Sequence, residues 1–381
     1  MPCEPTIEIG ICHQNVRTGD AIGHDIDGMY QLLDAMGFEV SILCDYVDDD
    51  TLSGRRVLQG VAGLDPAPCH VLIYHHSVHW EAGAALLERF HGPLALRYHN
   101  VTPAHFFAPY APAYTEACES GRRQTRDLAT RHGRAIWLAD SEYNRQELIS
   151  LGVHRGHAHV VPPFNRLQLA QAESGQQGES GGGVEVLFVG RFAPNKGHED
   201  LVRILDAYVT QISPDIVLHI VGGRDPSLRA YHDEIDALIA RLDLGSKVRI
   251  HAHVNEGELH ALYRRCHVFL CASHHEGFCV PVIEAQAHGL PVVSVNTTAL
   301  AETAGPQQLV AEPITDARDY LFYARLIEAA CANADLRRTL IDQGLANVQQ
   351  RFTNELIGNR FLDALLPLLL DASTDPGSRR P

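Results

Sequence analysis

A chain of 381 residues with 45% hydrophobic content exceeds what one core usually spans, so two domains are expected. The formal net charge of -16 excludes a nucleic-acid binder that works through a basic face, and neither DNA nor RNA is an expected partner. No stretch reaches the roughly 18 apolar residues of a spanning helix, Met1 to Gln14 lacks a basic region followed by an apolar run, and the nine scattered cysteines form no Cys-x-x-Cys pair; a cytoplasmic protein with reduced, mostly buried thiols is expected.

In chain order, short apolar runs at Ile7 to Cys12, Phe38 to Cys44, Val71 to Tyr74, Leu94 to Tyr98 and Ile136 to Leu138 read as parallel strands. Helices fall between most of them. The clearest covers Asp25 to Met36, where Ile26, Met29, Tyr30 and Leu33 make an apolar face and Gly37 stops the helix. This is the α/β pattern of a doubly wound domain over 1–167. The polar, glycine-rich stretch 168–183 reads as a flexible linker.

The second half, 184–352, repeats the pattern with strands at Val184 to Val189, Ile216 to Val221, Val248 to Ile250, Val268 to Cys271 and Val292 to Val295. After the first of these comes a loop, Gly190 to Gly197, and a helix from His198 to Gln211 with Leu201, Val202, Leu205 and Tyr208 on one face. Arg191 and Lys196 therefore share one strand-to-helix loop, where a planar fork of donors and a compact charge suit a diphosphate. The loop is not a P-loop, because Asn195 precedes Lys196 and Gly197 follows it. Gly222-Gly223 likewise lacks the spacing of a dinucleotide fingerprint.

Further on, Glu276-Gly277-Phe278 and Glu284 place two carboxylates about a loop-to-helix junction, with Pro281 suited to the first helical turn. A helix start offers free N–H groups beside these acceptors, which matches a ligand carrying both a phosphate and hydroxyls. The chain closes with an apolar-faced helix, Asn354 to Leu370, carrying Leu356, Ile357, Phe361, Leu365 and Leu369. Residues 371–381 have the composition of a disordered tail.

Together with Gly19-Asp20-Ala21-Ile22-Gly23, Tyr98-His99-Asn100 and Ala139-Asp140-Ser141-Glu142-Tyr143-Asn144, these motifs resemble the retaining glycosyltransferases of the GT-B fold. The resemblance is to family 4, which includes bacterial polysaccharide and lipopolysaccharide enzymes. It implies two Rossmann-like domains facing across a cleft, the first binding the acceptor and the second the nucleotide sugar, with the final helix, 353–370, crossing back onto the first domain. It implies catalytic roles for His99, Arg191, Lys196 and Glu276. Donor contacts are implied for Gly19, Gly23, Gly190, Arg191, Lys196, Val254, Glu276, Gly277, Phe278, Cys279 and Glu284, with Glu284 on the ribose and Glu276 on the sugar hydroxyls. GDP-mannose and UDP-hexoses head the implied donors, a glycan or polyprenyl-diphosphate-linked molecule is the implied acceptor, and no metal or other cofactor is implied. Three positions depart from the family: Asp20 puts an anion near the diphosphate path, or instead orients the acceptor hydroxyl or a loop amide, Cys279 stands where glycine is frequent, and His251-Ala252-His253-Val254 lacks a common glycine.

Three alternatives remain. A sugar-nucleotide epimerase of the same fold would turn over donor without an acceptor, a glycan phosphorylase would require inorganic phosphate and usually a far longer chain, and a noncatalytic nucleotide-sugar-binding protein would release no nucleoside diphosphate. Within an acidic chain, Arg122, Arg123 and Arg126 belong to a basic island that reads as a solvated helix face or as a docking patch for the acceptor or an anionic membrane, which would add peripheral attachment at the inner face of the plasma membrane. The histidine groups His75-His76 with His79, His251 with His253, and His274-His275 do not have spacings that suit a shared ion, and no metal site is expected.

Overall fold

The computed structural model describes residues 7–17, 19–48, 52–167 and 183–374. They divide into two compact units, the first comprising residues up to 103, 116–166 and from 353 on, the second 104–115 and 167–352. The linker expected over 168–183 lies outside the described residues except for Gly183, as does 375–381 of the expected tail.

The first unit is built on a seven-stranded sheet in the spatial order Val57–Gln59, Glu39–Cys44, Glu8–Cys12, Val71–His76, Leu94–Tyr98, Ile136–Ala139, Ala158–Val160. The second has six strands in the order Val248–His251, Ile216–Val221, Val184–Val189, Val268–Cys271, Val292–Val295, Leu309–Ala311. All pairs within both sheets are parallel. Every strand expected from the sequence is present. Val57–Gln59, Ala158–Val160 and Leu309–Ala311 were not expected; each is an edge strand of three residues, too short to show a period.

Local chemistry explains the helix ends. The helix Ala21–Ala35 starts earlier than its apolar face indicated, because Asp20 caps it by accepting from the Ile22 N–H at 3.1 Å. It stops where expected, with Gly37 at φ 88°. The last helix runs Asn354–Thr374, past the expected end at 370. Ile357, Phe361 and Leu365 are fully buried on it, and Phe361 meets Phe164 of the same unit edge-on at 5.9 Å. The expected first domain ended at 167 without interruption, whereas residues 104–115 cluster with the second unit. Aromatic contacts account for this: Tyr110 packs against Tyr231 at 5.2 Å, and the Tyr114 hydroxyl donates to Asp225 at 2.6 Å.

None of the eight cysteines among the described residues forms a disulfide. Burial also sets an acid limit. It pulls His13 down to about 4 and His76 and His198 down to about 3, so all three imidazoles are neutral in the fold. Their stability contribution is complete above the ordinary histidine value near pH 6.5 and is lost as pH falls toward the folded values, by up to about 1.4 kcal/mol per pH unit for each group. The thermal midpoint is therefore expected to be flat above pH 7 and to fall steeply between pH 6.5 and 5; a constant midpoint across that window would show that the imidazoles ionise in place.

Candidate functional site

In the second unit the chain lays down three strands outward from Val184–Val189, then returns to start the other side at Val268–Cys271. The loops after those two strands flank the point where strand order reverses, the place where open parallel sheets bind ligands. Arg191 and Lys196 come from the first loop and Glu276 from the second. Gly197, at φ 70°, makes the approach possible, since a Cβ there would lie 2.0 Å from the Ala272 carbonyl oxygen. Across this contact Lys196 Nζ stands 2.7 and 2.9 Å from the two carboxylate oxygens of Glu276. Burial pulls the Lys196 ammonium down, but the Glu276 carboxylate outweighs it, and the group is held above its ordinary value. Arg191 is exposed and makes no hydrogen bond or ion pair among the described residues, which leaves its guanidinium available to an anion.

Two residues that sequence reasoning missed hold this arrangement. Asn195 is buried, accepts from His274 N–H at 2.9 Å and donates to the His275 carbonyl at 3.2 Å, tying the loops together. Thr298 accepts from the Glu276 N–H at 2.9 Å and sits at φ 47°. The available signal was its place just beyond the strand Val292–Val295, at the same end of the sheet.

The helix Val280–Ala287 carries Pro281 in its first turn, as expected, and Glu284 inside it. Glu284 accepts from the Tyr263 hydroxyl at 2.7 Å; burial raises its pKa despite that bond. Cys279 precedes the helix at φ 81°, a left-handed conformation that explains why glycine suits this position. The Phe278 ring packs edge-on against Phe352 at 5.4 Å in a small core with Ile283 and Val348. Gly190 begins the first loop, Gly277 lies between Glu276 and Phe278, and Val254 is half-buried just before the helix Glu256–Arg265.

In the first unit, His99 follows the strand Leu94–Tyr98 and joins a buried polar network. Its Nδ1 is 3.0 Å from Asp140 Oδ2 and its Nε2 is 2.9 Å from His75 Nδ1. Both ring nitrogens have partners, so a side-chain bond from His99 to a sugar hydroxyl would displace one already made. Asp140 also pairs with Arg97 at 3.0 Å, and Arg97 with Asp25 at 2.8 Å, all of them buried. Gly19 is a turn residue at φ 75°, but Gly23 lies within the helix Ala21–Ala35 rather than in the loop. It is small for a different reason, since a Cβ there would stand 2.4 Å from the Arg17 carbonyl oxygen. Of the roles open to Asp20, the structure shows the bond to a loop amide: it caps the helix Ala21–Ala35.

The basic island lies on the helix Pro112–Arg131, and its arginines are differently occupied. Arg122 bonds the Val101 carbonyl and Glu147 at 2.9 and 2.8 Å, and Arg123 pairs with Glu116 at 3.1 Å. Arg126 is exposed. No helix among the described residues is long and apolar enough to cross a membrane.

Residues 170–346 match the family model described as glycosyl transferases group 1. Those residues, a little under half of the chain, are similar to the group 1 glycosyl transferases. The chain is 27% identical over 260 residues to a D-inositol 3-phosphate glycosyltransferase of Xylanimonas cellulosilytica, covering 64% of this chain and 58% of that protein. It is 33% identical over 119 residues to a GDP-mannose:cellobiosyl-diphosphopolyprenol alpha-mannosyltransferase of Xanthomonas campestris, covering 31% of this chain and 30% of that one. The matches thus span little more than half the length of the first relative and less than a third of the second. The crystal structure of Anabaena HepE in complex with UDP-glucose is similar over 95% of this chain and 100% of that one, with a TM-score of 0.72 at 16% identity. The two parallel-sheet, Rossmann-like units match the GT-B fold, and the residues from Gly190 to Glu284 described above all fall within the matched span 170–346.

Proposed function

We propose that the chain is a retaining glycosyltransferase that moves a hexosyl group, mannosyl or glucosyl, from a nucleoside-diphosphate sugar to a glycan or lipid-linked acceptor in cell-surface polysaccharide biosynthesis. The observation that carries this reading is the contact of Lys196 with Glu276 at the strand-order reversal, beside the exposed Arg191. Arg191 and Lys196 bind the diphosphate, Glu276 the sugar hydroxyls and Glu284 the ribose. As the anomeric C–O bond breaks, its electron pair passes to the diphosphate, and the two cations stabilise the charge that grows there. The acceptor hydroxyl adds to the anomeric carbon on the face the diphosphate leaves, and its proton passes to a phosphate oxygen. In this scheme no metal takes part in the transfer, because the two side chains supply the positive charge.

The relatives support a nucleotide-sugar donor: HepE was crystallised with UDP-glucose, and the Xanthomonas relative is described as using GDP-mannose with a lipid-linked acceptor. The arginine island supports acceptor or membrane docking less than its sequence suggested, because Arg122 and Arg123 are held in ion pairs. The test is thermal stabilisation against UDP-, GDP-, ADP- and dTDP-sugars. A donor at a hundred times its dissociation constant adds about 2.7 kcal/mol, so one nucleotide class should raise the midpoint selectively. The anomeric configuration of the product, read by NMR, then checks retention. Stabilisation followed by donor turnover without acceptor would favour an epimerase, and stabilisation without any turnover a binding protein.

A further inference from the structure

Away from these loops, the second sheet carries a polar cluster that glycosyl transfer does not use. Glu185 lies near the start of Val184–Val189, His219 is inside the neighbouring strand Ile216–Val221, and Cys266 comes just before Val268–Cys271. Glu185 pairs with Val217 and Leu187 with His219 in the parallel register, which puts Glu185 and His219 on one face. A carboxylate oxygen, an imidazole nitrogen and the thiol sulfur lie within 4.8 Å of one another. Glu185 Oε2 and His219 Nε2 are 3.9 Å apart, too far for a direct hydrogen bond. Both atoms are buried and have no hydrogen-bond partner among the described residues. Leaving such groups buried and unsatisfied is unfavourable.

We propose that Glu185, His219 and Cys266 bind a zinc-class divalent cation. Zinc bonds of roughly 2.0–2.3 Å in a tetrahedron separate neighbouring ligand atoms by about 3.3–3.8 Å, close to the spacing seen, and one cation would satisfy both orphaned atoms. The surroundings orient the ligands. His219 Nδ1 is 3.0 Å from His251 Nε2, and a proton donated there leaves the Nε2 lone pair directed toward Glu185. The other Glu185 oxygen is held by Arg265 at 2.5 Å. Thiolate, imidazole and carboxylate together suit zinc or cobalt rather than magnesium or calcium. On binding, the Cys266 S–H bond gives up its proton to solvent, the sulfur becomes the third protein ligand, and water takes the fourth position.

Among the described residues two other clusters have ligand-like spacing, but each is already engaged. In Asp25, His75 and His99, the carboxylate accepts from Arg97 and the Phe164 N–H, and the His99 Nε2 is taken by His75. In Cys271, Glu276 and Cys279, the carboxylate is held by Lys196. The Glu185 cluster instead fastens the strand leading to Arg191 and Lys196 to the segment leading to Glu276, so its cation acts as a clamp on the second unit. This inference does not depend on the sugar or the acceptor.

The test uses the whole chain, stripped with a chelator and titrated with Co²⁺ alone. A thiolate-to-cobalt charge-transfer band should saturate at one ion per chain, be displaced by Zn²⁺, and vanish in Cys266→Ser; Zn²⁺ should raise the thermal midpoint of the stripped wild type. If Cys266→Ser does not fold, Glu185→Gln should weaken Co²⁺ binding at least tenfold. A folded wild type without the band overturns the proposal. So does a band that survives Cys266→Ser and disappears in Cys271→Ser, which would move the ion to the thiols beside Lys196.

Discussion

Lys196→Ala is expected to lower kcat by about 10²–10³-fold, the usual effect of removing one preorganised group that stabilises developing negative charge. Glu276→Ala is expected to do the same through the sugar. The pair's geometry adds a second expectation. Their side chains are only 17% and 9% exposed, so removing one leaves the other charge without its partner, at a cost to stability of up to about 3–5 kcal/mol. The double variant Lys196→Met with Glu276→Gln removes both charges and should recover part of that stability while recovering none of the activity. Turnover and urea midpoints across the four proteins separate the two roles. Wild-type turnover in either single variant, or in the double variant, would refute a role for these groups in transfer.

Arg97→Met should destabilise the first unit by about 3–5 kcal/mol without touching the proposed donor site. The guanidinium is fully buried between Asp25 and Asp140, and it also donates to the Val161 carbonyl. Methionine keeps most of the volume but leaves two carboxylates without a cation. Burial already raises the Asp25 pKa, with Arg97 and His99 pulling it back, so losing Arg97 should raise it further. An acid with a raised folded pKa binds more protons folded than unfolded, and its contribution to stability is lost as pH rises. The deficit of the variant should accordingly grow as pH rises above the ordinary carboxylate value of about 4 in denaturant titrations. An unchanged midpoint would mean that solvent reaches these carboxylates.

Much of the site was legible as residue types in loops. Glycine, arginine and lysine between a buried strand and an amphipathic helix, and two glutamates about a proline-started helix, are local patterns of propensity and charge. That Lys196 touches Glu276 was not legible, because the residues are 80 positions apart and meet only where the strand order reverses. The surroundings of Phe278 and Asp20 have the same origin. Phe278 stands in a ligand-like motif, yet Val348 and Phe352 arrive from a distant helix to bury it. For Asp20 the sequence left a phosphate-side anion, an acceptor hydroxyl and a loop amide open, and the start of the helix showed that it accepts from the Ile22 N–H.

The sequence by itself determined the alternation of strands and helices, the division into two parallel-sheet halves, the stop at Gly37 and the helix start at Pro281. Periodicity, fixed φ and capping act over a few residues, and those are read directly from the chain. Tertiary structure alone decided that residues 104–115 cluster with the second unit, that Arg122 turns to Glu147, that His99 is bonded at both nitrogens, and that Glu185, His219 and Cys266 converge. Each of these depends on which group from another part of the chain satisfies a buried charge or polar atom. That choice is made by sheet order and packing, not by neighbours in sequence.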